Sequence, residues 1–210
     1  MKKVKILIAD DHKLIRETYS FLLNNDERFQ VVGECSNGET AVELCRKLHP
    51  QVVIMDINLP GISGFEATDF IRKYSPDTKV LGVSMHNGLF YVKKMFQKGA
   101  AGYVTKNSSV EEMIKAIIAI QEGEKYVCPE IKNVLKEQFE TGKDPQKDIE
   151  SLSEREIEIA FLVKNGSSSK EIAEALKISE RTVEVHRHNI LKKLNLKNTA
   201  ALVNFMDYRN

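Results

Sequence analysis

The sequence predicts a doubly wound α/β fold with a five-stranded parallel sheet, followed by a small all-α domain of four helices. Three observations carry this reading. Residues 1–121 alternate short apolar runs with helical spacings, five times in order. The runs at 4–9 and 51–55 are mostly apolar, as strands covered on both faces require. Residues 151–210 carry caps and helical spacing but no strand pattern. Between the two parts, residues 122–150 are polar and charged and hold Pro129, Gly142, Asp144 and Pro145. That composition reads as an interdomain linker with one short helix over 130–139.

The elements follow in order. Val4–Ala9 is a strand ending in Asp10 and Asp11. Leu14, Ile15, Thr18, Phe21 and Leu22 then follow helical spacing. Phe29–Cys35 reads as a strand, and Gly38–Leu48 as a helix that must stop before Pro50. Gln51-Val52-Val53-Ile54-Met55 is the third strand, ending in Asp56. The turn Leu59-Pro60-Gly61 leads to a helix through Phe65, Ile71 and Tyr74. The fourth strand, 79–83, ends at Ser84. Val92, Met95 and Phe96 mark a short helix closed by Gly99. Gly102–Thr105 is the fifth strand and ends in Lys106. Val110, Met113, Ile114, Ile117 and Ile118 give a strongly amphipathic helix. Right-handed crossovers then place helices on both faces.

In the C-terminal part, Ser153 with Glu156 forms a capping box before Ile157, Ala160, Phe161 and Val163. Asn165-Gly166 stops that helix. Ser169–Leu176 is a second helix, and Lys177-Ile178 is a tight connection. Ser179 caps a third helix running to about 194, and a fourth starts at Asn198 or Thr199 and runs to 208.

Bulk properties exclude more than they select. The net charge of +1 gives no global field toward nucleic acid or membrane, so any basic surface is local. The three cysteines, Cys35, Cys45 and Cys128, show no CxxC spacing, which argues against a disulfide framework or a zinc site. The apolar run after Met1-Lys2-Lys3 is too short for a signal peptide or a membrane span. A cytoplasmic protein is expected, with no membrane contact.

The chemistry gathers at strand ends. In an open parallel α/β sheet, ligands bind at the carboxyl ends of the strands. Asp10, Asp11 and Asp56 would crowd there and repel, raising at least one pKa. Mg²⁺ relieves this, since it prefers oxygen ligands and accepts one or two carboxylates with a phosphate oxygen. Lys106 can neutralise a phosphoryl oxygen and the Ser84 hydroxyl can bond another. An aspartate in such a site can attack phosphorus and become an acyl phosphate. Each residue alone has a plain explanation, as a solvated turn, a helix cap or a surface lysine. Their joint arrival at four strand ends does not.

These pieces, Asp10-Asp11, Asp56 in Ile54-Met55-Asp56-Ile57-Asn58-Leu59-Pro60-Gly61, Ser84, and Lys106 after Gly102-Tyr103-Val104, make residues 4–121 similar to the receiver domain of a two-component response regulator, a flavodoxin-like fold. The resemblance implies that Asp56 is the phosphoacceptor. It implies that Asp11, Asp56 and the Asn58 carbonyl ligate the metal directly, with Asp10 assisting through water. Ser84 and Tyr103 become the switch pair, the hydroxyl moving to the phosphoryl group as the ring turns inward. Asn58 and His86 flank the site where such proteins tune dephosphorylation. Many receivers place proline after the lysine in a cis bond, whereas this chain has Asn107. A non-proline cis bond costs about 3 kcal/mol, which leaves the geometry of that loop open.

On a wheel of 100° per residue, Val183, Ile190, Leu191 and Leu194 share the inward face of the third C-terminal helix. Arg181, Val185, His188 and Lys192 lie opposite, with Glu184 on the shoulder. Donors around one small apolar residue suit the major groove, Val185 toward a thymine methyl and Glu184 toward a cytosine amine. Arg187 points inward, and its head is expected to pair with an acid of the first helix of this domain. The segment resembles the LuxR-type helix-turn-helix of the NarL/FixJ family in Leu152-Ser153-Glu154-Arg155-Glu156, Gly166, Lys170-Glu171-Ile172-Ala173, Ile178-Ser179, Thr182-Val183, His186, Asn189-Ile190 and Lys193-Leu194. By that resemblance Glu184, Val185 and His188 face bases, and Lys170, Thr182 and Lys192 contact phosphates. The excess of apolar residues on the last helix (Ala200, Ala201, Leu202, Val203, Phe205, Met206) fits a dimer contact.

The sequence thus describes a transcriptional response regulator rather than an enzyme. By these resemblances a sensor histidine kinase is expected to phosphorylate Asp56 with Mg²⁺ bound, and an active homodimer to bind double-stranded DNA. An aspartyl-phosphate hydrolase would also use an aspartate nucleophile and Mg²⁺. Such enzymes carry a second aspartate two residues on, where this chain has Asn58.

Overall fold

The computed structural model describes residues 3–141, 151–176 and 178–207. The chain divides into two compact units, Met1–Glu137 and Gln138–Asn210.

The first unit runs β1 (Val4–Ala9), α1 (Lys13–Asn24), β2 (Phe29–Cys35), α2 (Gly38–Leu48), β3 (Val52–Asp56), α3 (Gly64–Tyr74), β4 (Lys79–Ser84), α4 (Leu89–Lys98), β5 (Gly102–Thr105), α5 (Val110–Gln121), β6 (Tyr126–Val127) and the greater part of α6 (Pro129–Thr141). The strands pair in the order β2-β1-β3-β4-β5-β6, all parallel. The order reverses between β1 and β3, which places Asp10 and Asp56 at the topological switch point. Ile6, Leu7, Ile8, Ala9 and the residues of β3 from Val52 to Met55 are buried, which explains their unbroken apolar runs.

Local signals fix the helix ends. Asn37, Ser63 and Ser109 cap α2, α3 and α5, and Ser63 with Glu66 forms a full capping box. Gly99 closes α4 at φ 108°, a conformation that favours glycine. The apolar spacing in α1 does form a helix, but Leu14 and Phe21 point outward, 76% and 69% exposed. The inward anchor is Leu23, which is fully buried.

The sheet has six strands, not the five expected. Tyr126 and Val127 pair with Gly102 and Tyr103 of β5, and the Cys128 N–H donates to the Tyr103 carbonyl. A two-residue strand is too short to show any periodicity, so only the free edge of β5 reveals it. The expected linker therefore begins later than residue 122, because Cys128 and Ile131 are buried in this unit. Its stretch 142–150 lies outside the described residues.

The second unit holds α7 (Glu154–Lys164), α8 (Ser169–Leu176), α9 (Glu180–Lys193) and α10 (Thr199–Asp207). The Ser153–Glu156 capping box opens α7, and Ser179 caps α9 by accepting from the Thr182 N–H. Ile157, Ala160, Val163, Ile172, Val183, Ile190, Leu194, Leu202 and Met206 form its core. Asn198 caps α10 through the Ala201 N–H. Lys177 of the tight connection and Tyr208 at the expected end of the last helix lie outside the described residues. Among the described residues, no helix is long and apolar enough to cross a membrane.

Candidate functional site

The pocket is built at the carboxyl ends of β1, β3, β4 and β5. The Lys106 ammonium lies 2.7 Å from Asp10 Oδ2 and 2.8 Å from Asp56 Oδ2, and all three side chains are buried. Ligand atoms of Asp10, Asp11, His12 and Asp56 lie within 4.8 Å of one another. Asp11 stands at the exposed mouth and takes the His12 Nδ1 at 2.7 Å. His12 also reaches Asp10 Oδ1 at 3.1 Å, and its own N–H donates there at 2.8 Å. Arg16, one turn into α1, donates to the Asp10 carbonyl at 2.6 Å. His12 and Arg16 were not among the expected site residues, although both follow the acidic pair closely in sequence.

Backbone geometry fixes the Asp56 loop. The Asn58 N–H donates to Asp56 Oδ1 at 3.2 Å, and the Gly64 N–H donates to the Ile57 carbonyl. A Cβ at Gly64 would overlap the Asp56 carbonyl oxygen, so the start of α3 can approach only as glycine. Asn58 Nδ2 and His86 Nε2 lie 3.2 Å apart over the mouth. His86 in turn stacks on Tyr91, ring centroids 4.3 Å apart.

Ser84 is buried and accepts from the His86 N–H at 3.1 Å. Tyr103 is fully buried, with its ring already inward, and its hydroxyl donates to the His86 carbonyl at 2.7 Å. Gly82 makes room for Met95 beside that ring, since a Cβ there would lie 2.7 Å from Met95 Cε. After Lys106 the chain continues through Asn107 without a cis bond, and none occurs among the described residues.

The electrostatics follow from counting charges. Asp10 and Asp56 share one ammonium, and Asp11 adds a further carboxylate at the rim. Burial raises the Asp56 pKa, with Lys106 opposing it. Burial also disfavours the Lys106 ammonium, yet Asp56 and Asp10 outweigh that and raise its pKa. The two shifts have different causes: Asp56 rises because burial disfavours its charge, and Lys106 because two carboxylates favour its own. Burial likewise pushes the Tyr103 phenol up, so it stays a hydrogen-bond donor. A cluster of hard oxygen donors with uncompensated negative charge fits Mg²⁺.

In the second unit, Val183, Ile190 and Leu194 of α9 face inward, while Arg181, Glu184, Val185, His188 and Lys192 are exposed, as the wheel requires. Lys170 on α8 is exposed too, and Thr182 is half-buried at the first turn of α9. Two side chains differ from expectation. Among the described residues Arg187 meets no acid of α7. It donates to Ser169 Oγ at 2.6 Å and Thr199 Oγ1 at 3.1 Å, and pairs with Glu184 at 3.8 Å. Ser169 also donates to Glu184, so the shoulder carboxylate has partners inside the domain. One acid of α7, Glu156, is taken by Lys193 at 2.7 Å, and another, Glu158, pairs with Arg155. The wheel places a residue on a face but cannot choose among cations on neighbouring turns.

Comparison with known proteins agrees with this geometry. Residues 6–118 match the response regulator receiver domain, and residues 150–206 match the bacterial regulatory proteins of the luxR family. The chain is 37% identical to the response regulator GacA of Pseudomonas aeruginosa, over 95% of this chain and 93% of that protein. It is 38% identical to the oxygen regulatory protein NreC of Staphylococcus carnosus, over 96% of each. A solved structure of RcsB from Salmonella enterica serovar Typhimurium, bound to the promoter P1flhDC with the phosphomimetic BeF3−, matches at 26% identity and TM-score 0.70. That match covers 99% of this chain and 100% of the RcsB chain. Receiver domains bind Mg²⁺ at an acidic pocket, and response regulators work with histidine kinases. The chain belongs to the NarL/FixJ family of response regulators, which join a receiver domain to a LuxR-type DNA-binding domain and regulate transcription.

Proposed function

We propose that this protein takes a phosphoryl group on Asp56 from a sensor histidine kinase and thereby controls its own dimerisation and promoter binding. The observation that carries this reading is Lys106 lying between Asp10 and Asp56 at the switch point of the sheet. A carboxylate oxygen of Asp56 attacks phosphorus, a new O–P bond forms, and the P–N bond to the kinase histidine breaks. Lys106 and Ser84 then hold phosphoryl oxygens, and the Asn58 N–H keeps the carboxylate aimed. Asp11, Asp56 and the Asn58 carbonyl would ligate Mg²⁺, with Asp10 behind them; when bound, the ion neutralises the charge of the transferred group. Leu14 and Phe21, exposed on the helix that starts beside Asp11, offer the kinase an apolar contact. Asn58 and His86 set a slow autodephosphorylation.

Ser84 and Tyr103 transmit the change to α4, β5 and α5 as a population shift. In the DNA-binding unit, Val185, His188 and Glu184 read bases, Glu184 staying 60% exposed in its side chain beside Arg187. Lys170, Arg181, Thr182 and Lys192 contact phosphates. The surfaces of Ala200, Ala201, Val203 and Phe205 outside the core suit a homodimer contact. The site of action is the cytoplasm, where kinase and promoter are both accessible.

Mass spectrometry after acetyl phosphate, with and without Mg²⁺, tests the reading. A metal-dependent gain of about 80 Da, one phosphoryl group, is expected, and Asp56→Asn should lack it. Label stably retained on Asp56→Asn would overturn the assignment.

A further inference from the structure

Two strand ends of the pocket converge on one carboxylate outside it. The Thr105 hydroxyl, next to Lys106, donates to Glu130 Oε2 at 2.6 Å. Asn87, just beyond Ser84 and His86, donates from Nδ2 to Glu130 Oε1 at 3.3 Å. Glu130 is half-buried in the first turn of α6, between the buried residues Cys128 and Ile131. An acid in a first turn is favourable by itself. That preference does not explain why its two oxygens are divided between β5 and the loop after β4.

The same loop is gripped from the pocket side. His86 donates its N–H to Ser84 and accepts from the Tyr103 hydroxyl through its carbonyl. Any movement of Ser84 therefore acts on His86 and Asn87, and any movement of Lys106 acts on Thr105. The boundary between the two compact units falls within α6, so this helix is the covalent route from one to the other.

We propose that Glu130 is a positioning residue that couples the phosphoacceptor pocket to α6, holding the first turn of the helix to the Asn87 and Thr105 segments until the pocket is phosphorylated. The proposal rests on Asp56 as the phosphoacceptor. When Ser84 and Lys106 engage the phosphoryl oxygens, the Asn87 and Thr105 segments shift, Glu130 loses its donors, and α6 loosens at its start. The coupling is an energy difference between two states of one contact, in either direction.

Hydrogen exchange on the full chain tests it, with and without acetyl phosphate and Mg²⁺, while the intact mass of the same sample is read. In the wild type, amides over 130–136 should exchange about tenfold faster once the adduct forms, within the usual range of site-to-site coupling. Glu130→Ala should accept the adduct normally yet show the fast exchange in both states. Thr105→Val, which leaves the Asn87 bond, should do the same in part, and adding it to Glu130→Ala should change nothing further. Ile131→Ala removes buried packing without touching the carboxylate, so it should speed exchange in both states and keep the difference between them. A Glu130→Ala protein that retains the full phosphorylation-dependent change overturns the proposal. So does a wild type whose α6 ignores an adduct that has formed. Absence of the adduct on the wild type sinks the phosphoacceptor reading and this proposal together, and the mass identifies that case.

Discussion

Replacing Lys106 with methionine separates charge from packing in the pocket. Methionine keeps most of the volume of the stem, so the loss is chiefly the ammonium. Asp10 and Asp56 are then left buried, their ligand oxygens within 4.8 Å of each other. Two unit charges at that separation repel by roughly 3–4 kcal/mol at an effective dielectric near 20. Breaking a buried pair by removing one partner costs about 3–5 kcal/mol by mutational experience, in the same range. We therefore expect about 3 kcal/mol of destabilisation at neutral pH, a fall of roughly 10 °C in Tm. Urea unfolding followed by near-UV tyrosine dichroism is a suitable assay, because five of the six tyrosines lie in the first unit. The sign with pH is fixed. Burial already raises the Asp56 pKa and Lys106 opposes it, so without Lys106 it rises further, and the deficit is full above that raised value. It shrinks as the pH falls through it, when one acid takes up a proton. Adding Asp56→Asn to Lys106→Met should recover most of the loss. A deficit below about 1 kcal/mol, or one that ignores both pH and Asp56→Asn, would refute the charge argument.

Two further outcomes are expected. Lys192→Ala should weaken binding to all DNA sequences alike and lower the salt slope by about one unit, read by titrations at several salt concentrations; a loss confined to one base pair would make it a base reader. Glu156→Gln should cost the α7–α10 unit about 1–2 kcal/mol at neutral pH, since it weakens both a charge-assisted bond and a cap. Burial alone would raise the Glu156 pKa, but Lys193 and Ser153 outweigh it and hold it below 4.5. Its stabilisation is therefore complete above that value and lost as the pH falls through the depressed one, a slope that the variant should lack in acid denaturation.

The sheet and its pocket were legible because burial on both faces and ligand chemistry at strand ends leave linear marks. β1 and β3 are almost unbroken apolar runs, and Asp10, Asp56, Ser84 and Lys106 each end or follow a strand. What escaped depends on distance in sequence or on choice among equals. Tyr126 and Val127 form a strand only because β5 presents an edge to them. Glu130 looks like any first-turn acid until Thr105 and Asn87 are placed beside it. Arg187 is half-buried and Lys193 exposed, and only the packing of α9 on α7 decides that Glu156 receives Lys193. The outward turn of Leu14 and Phe21 follows from the same limit, since helical spacing marks a stripe without saying which side of it the sheet will meet.

The sixth strand bears on how the chain can be cut. All four residues of β5 are buried, and without β6 the outer backbone groups of Gly102 and Tyr103 would stand open beside an apolar surface. A long, apolar, unpaired edge is a template for pairing with other copies, whereas a two-residue edge offers almost none. A receiver fragment ended at residue 121, where the last amphipathic helix stops, would thus be prone to aggregate. One carried through Ile131 keeps β5 covered and retains the Glu130 contacts, and is the better piece for solution work.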